Sequence, residues 1–338
     1  MLELINFANY DRNRAMINNN PAELEKLLAE LGVDGIEALF CDPWDPALLP
    51  AALIHGVHLN FWPTWLDFWR GDQQALARQF GSRDNIFAYF GGREPADMLA
   101  AYRRDFGQAS AAGAAYAVFH VSHNEPDEIY TWRFRADSLA VVDATIEVVN
   151  SLAKDIPDNL TLLFENLWWP GMTLLEPRLV DRLLSRIDHA NAGIMLDTGH
   201  LMNTNADLVS EHEGIAYILR VLDNLGSLRQ AVRGIHLNRS LSGEYVKASR
   251  CRTAPAVSLA ETMAHVLRID QHQPFADPAA RRIIEAVEPR YLVHEFIVDG
   301  RDALLRQTRQ QRQAIACRQP GRNVAAALPR DARYIRVE

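Results

Sequence analysis

Short apolar runs alternate with longer amphipathic stretches along this chain, and no other feature limits its fold as much. Runs at 2–7, 35–40, 56–61, 116–121, 160–165, 193–197, 234–237 and 291–296 read as strands. Between them, 21–31, 94–112, 138–154, 176–187, 213–228 and 278–287 carry helical spacing, several opening on a cap-like residue or proline. Strands that alternate with helices pair in parallel through right-handed crossovers. Eight such units predict a single closed (β/α)8 TIM barrel, and 338 residues accommodate one barrel with insertions. Two stretches exceed a minimal barrel, 62–92 after the third strand and 241–270 after the seventh. Both follow strands directly, which puts them on the face where such barrels carry their chemistry. The expected organisation is a catalytic barrel over 1–316 and a C-terminal tail over 317–338, broken from the last helix by Pro320-Gly321.

The strand ends carry the chemistry. In Gly193-Ile194-Met195-Leu196-Asp197-Thr198-Gly199-His200 an apolar run stops on a carboxylate, turns, and delivers an imidazole three residues later. A bland account makes Asp197 the N-cap of the next helix. The other strand ends argue for more. The third presents His58, the fourth His120, the fifth Glu165, the seventh His236 and the eighth Glu295, and the loop before the eighth holds Asp270-Gln271-His272. Five of the eleven histidines thus fall at strand ends or beside them. Imidazoles and carboxylates without thiolates suit zinc, manganese, iron or cobalt rather than calcium. His294 alternates with Glu295 and should face the outer helices. His55, His189, His212 and His265 sit in helical or linker contexts and read as surface or structural. Trp62, Trp65 and Trp69 have the spacing of a buried helix face, whereas Trp168 and Trp169, before Pro170-Gly171, read as substrate contacts. His123, Arg239 and Lys247 are further substrate-binding candidates.

Charge and cysteine content limit the function classes. A net charge of −8 lacks the basic footprint of a nucleic-acid binder and argues against such a partner. Three scattered cysteines, Cys41, Cys251 and Cys317, form no CxxC and argue for a reducing compartment. Met1-Leu2-Glu3-Leu4-Ile5 lacks a secretory pattern, and no apolar run is long enough to span a membrane. The expectation is a cytoplasmic enzyme for a small molecule, compatible with a homo-oligomer.

These motifs resemble the xylose-isomerase-like TIM-barrel superfamily, which includes endonuclease IV and the sugar-phosphate isomerases and epimerases. Leu196-Asp197-Thr198-Gly199-His200 is similar to the Asp-Thr-x-His signature of both branches. Phe119-His120-Val121-Ser122-His123, Glu165-Asn166, His236-Leu237-Asn238 and Asp270-x-His272 are similar to endonuclease IV motifs. The resemblance, over 1–316, implies a trinuclear ligand set of His58, His120, Glu165, Asp197, His200, His236, Asp270, His272 and Glu295. The one-metal epimerases need only Glu165, Asp197, His236 and Glu295. In that branch the two glutamates would exchange a proton alpha to a polarised carbonyl, with His200 on substrate hydroxyls. With two or three ions, Glu165 would bridge metals and a phosphoester would be hydrolysed; a multinuclear iron oxidase is a further alternative. The complete four-residue set tips the expectation towards an isomerase or epimerase of a sugar-like molecule, using one to three divalent ions.

Overall fold

The computed structural model describes residues 1–255 and 259–316, so the predicted tail and Cys317 lie outside the described residues. Eight parallel strands close in sequence order: β1 (Leu2–Ala8), β2 (Gly35–Leu39), β3 (Ile54–His58), β4 (Tyr116–His120), β5 (Thr161–Glu165), β6 (Ala192–Asp197), β7 (Val232–Leu237) and β8 (Tyr291–His294). β1 pairs with both β2 and β8, which completes the cylinder and leaves no open sheet edge.

The period-two alternation of a strand divides the apolar residues between two cores. Leu4, Tyr116, Val118, Leu163, Met195 and Val293 fill the lumen. Ile36, Ala117, Phe119, Phe164, Leu196 and Ile235 face the surrounding helices. Fully burying side chains of this size contributes about 1.5–3 kcal/mol each. His294 has helix-facing parity, as expected. Its Nε2 donates to Glu3, and its Nδ1 accepts from Gln311 on the helix Arg301–Ala316.

Three short helices follow β3, Leu66–Arg70, Gln73–Phe80 and Arg83–Phe90. Asp72 and Ser82 cap the second and third through backbone amides. They enclose a local apolar cluster in which Phe68 and Phe90 stack 3.8 Å apart. Trp62, Trp65 and Trp69 belong to it, and their indole N–H groups donate to Tyr89 O, Ser122 O and Glu147. After β7 come Gly243–Ser249 and Leu259–Ile269. Two predicted helices are divided: 278–287 opens as a 3-10 turn, Pro278–Ala280, and Glu211–Asn224 ends before a second 3-10 segment, Gly226–Ala231. Among the described residues, no helix is long and apolar enough to cross a membrane.

Candidate metal centre

Strand parity selects the side chains at the top of the barrel. Counting outward from lumen-facing Val118, Leu163, Met195 and Val293, the next inward positions are His120, Glu165, Asp197 and Glu295. On β7, His236 lies between the helix-facing Ile235 and Leu237 and therefore points inward. Glu165 is the hub. Its Oε2 lies 3.2 Å from His58 Nε2 and 3.1 Å from His120 Nε2, and its Oε1 lies 3.1 Å from His200 Nδ1 and 3.3 Å from His236 Nδ1.

The loops add the remaining residues. Asp197 ends β6 and also caps the helix Thr198–Asn203, its Oδ1 accepting from the His200 amide at 2.6 Å. The bland account of Asp197 is therefore also true, and the cap is what turns His200 back towards the barrel axis. Asn166 ties β5 to β6 by exchanging two hydrogen bonds with the Asp197 backbone. Asn238 Nδ2 donates to Asp197 Oδ2 at 2.8 Å. Gly199 makes room for that contact, because a Cβ there would overlap the Asn238 amide oxygen. Asp270 and His272 arrive on a segment that pairs with the end of β7 through Arg239 and Gln273. His272 takes a left-handed φ of 44°, a strained conformation for a non-glycine residue. Its Nε2 lies 2.7 Å from Asp270 Oδ2, which in turn lies 3.2 Å from His200 Nε2.

Three groups result: His58, His120 and Glu165; His200, Asp270 and His272; and Glu165, Asp197, His236 and Glu295. Within each, one nitrogen or oxygen per residue lies within 4.8 Å of all the others. Hydrogen bonding tests whether cations fit there. His58 Nδ1 donates to Leu59 O, His200 Nδ1 to Asn166 O and His272 Nδ1 to Glu295 O, since a carbonyl can only accept. His236 Nε2 donates to the buried Glu37 carboxylate at 3.0–3.1 Å. When such a ring is neutral, its other nitrogen bears a lone pair facing carboxylate oxygen, a contact that either a proton or a metal cation between them satisfies. His236 Nδ1 and Glu165 Oε1 are buried without a hydrogen-bond partner of their own. The donor set fits a divalent metal with mixed imidazole and carboxylate ligands.

The same crowding shifts the proton affinities. Burial disfavours charge on His272, but Asp270 and Glu295 outweigh it and raise its pKa to about 10. Burial raises Glu295 to about 8, aided by Asp197 and Glu165 and opposed by His236 and His272. Burial lowers His120 to about 4 despite the adjacent Glu165. Glu165 is also buried, yet the surrounding histidines hold its carboxyl well below the usual range. Cations bound here would compete with these protons.

A cavity of about 420 Å³ opens above the cluster, floored by Glu37, His58, His120, His200, Asp270, His272 and Glu295. The five substrate-contact candidates do not line it. His123 is buried, and its Nδ1 accepts from the Trp65 and Leu66 amides. Arg239 is held by Glu211 and Pro274 O, and braces the Asp270–His272 segment. Lys247 pairs with Asp207 on the surface. Trp168 and Trp169 are buried, Trp168 with its ring 5.2 Å from His200. Proximity to a strand end defines a face of the barrel but not a distance from its axis.

Glu37 was missed. It occupies an inward position on β2, and its Oε2 also accepts from Tyr116 O–H at 2.8 Å. Gly56 permits this, since a Cβ there would enter the Tyr116 ring. The available signal was an acid at mid-strand in Gly35-Ile36-Glu37-Ala38-Leu39.

The xylose isomerase-like TIM barrel family model matches residues 26–277. No curated protein matches the sequence. Endonuclease IV from Thermus thermophilus superposes with a TM-score of 0.53 at 15% identity, over 94% of this chain and 99% of that one. A D-tagatose 3-epimerase-like protein gives 0.52 at 13%, over 94% and 97%. D-allulose 3-epimerase from Methylomonas sp. gives 0.50 at 13%, over 94% and 96%. At such identities the likeness is one of fold.

Proposed function

The chain belongs to the xylose isomerase-like TIM-barrel family, and from that premise we propose that residues 1–316 form a catalytic domain whose multinuclear divalent-metal centre hydrolyses a small phosphoester. The observation that carries this reading is the sharing of Glu165. Its Oε2 faces His58 and His120 of one group, its Oε1 faces His236 of another, and the residue is fully buried and does not line the cavity. A carboxylate so placed suits a bridge between cations. It is poorly placed as a base for a substrate carbon, because a general base must come within hydrogen-bond reach of its proton. Of the two glutamates that a two-base epimerisation would use, only Glu295 lines the cavity.

The proposed ligands are His58, His120, Glu165, Asp197, His200, His236, Asp270, His272 and Glu295. Bound cations supply Lewis-acid polarisation of the ester and neutralise charge on the leaving oxygen. The protein's own groups do the rest. Leu59 O, Asn166 O, Glu295 O and Glu37 fix the histidine tautomers. Asn238 and the His200 amide orient Asp197, and Glu295, which lines the cavity, would accept a proton from an entering water.

A one-metal isomerase or epimerase is the second reading, supported by the complete set of Glu165, Asp197, His236 and Glu295. Elemental analysis of protein purified without chelator, joined to a screen of small phosphoesters and ketoses, separates the two. Two or three ions per chain with ester hydrolysis is the expected result. One ion per chain with ketose epimerisation would overturn it.

A further inference from the structure

The walls of the cavity differ chemically from its floor. Phe7, Met16, Leu39, Phe296 and Val298 line its sides. Tyr10, Met263 and Ile297 also line it, yet they are 39%, 49% and 41% exposed. They come from three separate segments: the stretch after β1, the helix Leu259–Ile269 and the stretch after β8. Large apolar side chains gathered from distant parts of a chain around a polar cluster mark a binding surface. Among the described residues no lysine or arginine lines the cavity. The Asn6 amide is spent on both backbone groups of Phe296, leaving the Asn13 amide and the Tyr10 hydroxyl as the side-chain polar groups above the floor.

Resting on the hydrolytic reading above, we propose that the substrate is amphiphilic, with an anionic oxygen head that seats on the cluster and an uncharged alkyl or aryl body packed against the apolar wall. A sugar would give up hydrogen bonds to water at several hydroxyls and meet few replacements. A nucleic-acid strand would need cationic side chains along its backbone path. An apolar body gains from the wall and requires neither.

Alkylphosphonates from methyl to hexyl, with phenylphosphonate, test this by calorimetric titration of the metal-containing protein. Affinity should rise about fourfold per added methylene until the cavity is filled, and then level off. Met263→Gln and Ile297→Asn should flatten that rise while the head group still binds. Methylphosphonate binding with no gain along the series overturns the amphiphilic substrate and leaves the hydrolytic reading standing. Failure of every phosphonate to bind overturns both. If Ile297→Asn instead alters the mass of the particle in solution and preserves the chain-length dependence, the rim is a contact between copies and the proposal falls.

Discussion

Glu37 shows how one side chain can set the chemistry of a neighbour. Its carboxylate accepts from both Tyr116 O–H and His236 Nε2–H, which leaves His236 Nδ1 to face Glu165 and Glu295. Glu37→Gln keeps a single acceptor oxygen for two donors and turns an N–H group towards one of them. Metal affinity should fall roughly 10- to 100-fold with the circular dichroism spectrum unchanged. Tyr116→Phe, which spares the His236 contact, should cost less; an unaltered metal isotherm in Glu37→Gln would remove its positioning role. His123 makes a different prediction. Burial, with some help from Arg70, lowers its pKa to about 3, so the folded state favours the neutral ring. Its contribution is present above the unfolded pKa of about 6.5 and is lost as pH falls from there towards 3. At about 1.4 kcal/mol per unit, this single group accounts for at most roughly 5 kcal/mol. His123→Asn can still accept from the Trp65 and Leu66 amides but does not titrate. Urea midpoints for the variant should therefore fall less between pH 7.5 and 5 than those of the parent, and equal slopes would refute the assignment.

At the level of elements, the β6 end shows how a short motif serves fold and site together. Asp197 closes a strand, caps the following helix and joins the cluster. The Thr198 hydroxyl donates to Asn238 O and accepts from the Asn238 amide, tying this turn to the end of β7. Gly199 is small so that Asn238 can reach Asp197. Gly199→Ala should force the Asn238 amide aside, destabilise the fold by about 1–3 kcal/mol and deplete metal from the Glu165, Asp197, His236 and Glu295 group. Denaturation midpoints together with metal content per chain measure both effects. Parent values on both counts would mean that the turn relaxes without disturbing the carboxylate.

Across the whole molecule, the cluster draws residues from His58 to Glu295, so occupancy of the site and integrity of the barrel are coupled. Metal held by the folded cluster and not by the unfolded chain stabilises the barrel. Chelation should therefore lower the melting temperature, by about 5–10 °C if bound metal contributes a few kcal/mol to folding. Returning the metal should restore it. Demonstrated removal of metal with no change in melting temperature would count against a site that helps hold the barrel closed.

The sequence alone determined the barrel, because strand period and helix period are local properties of the chain. It also pointed to the nine acids and imidazoles that gather at one end of the barrel, six by their places at strand ends and three, His200, Asp270 and His272, by loop motifs alone. Glu37 escaped because a single acid within an apolar strand looks the same whether it meets a histidine or not. That partner lies 199 positions away and on a different strand. The walls of the cavity escaped for the same reason. Tyr10, Met263 and Ile297 become neighbours only when the cylinder closes and its loops fold across one end, and packing between segments distant in the chain leaves no periodic trace in any one of them.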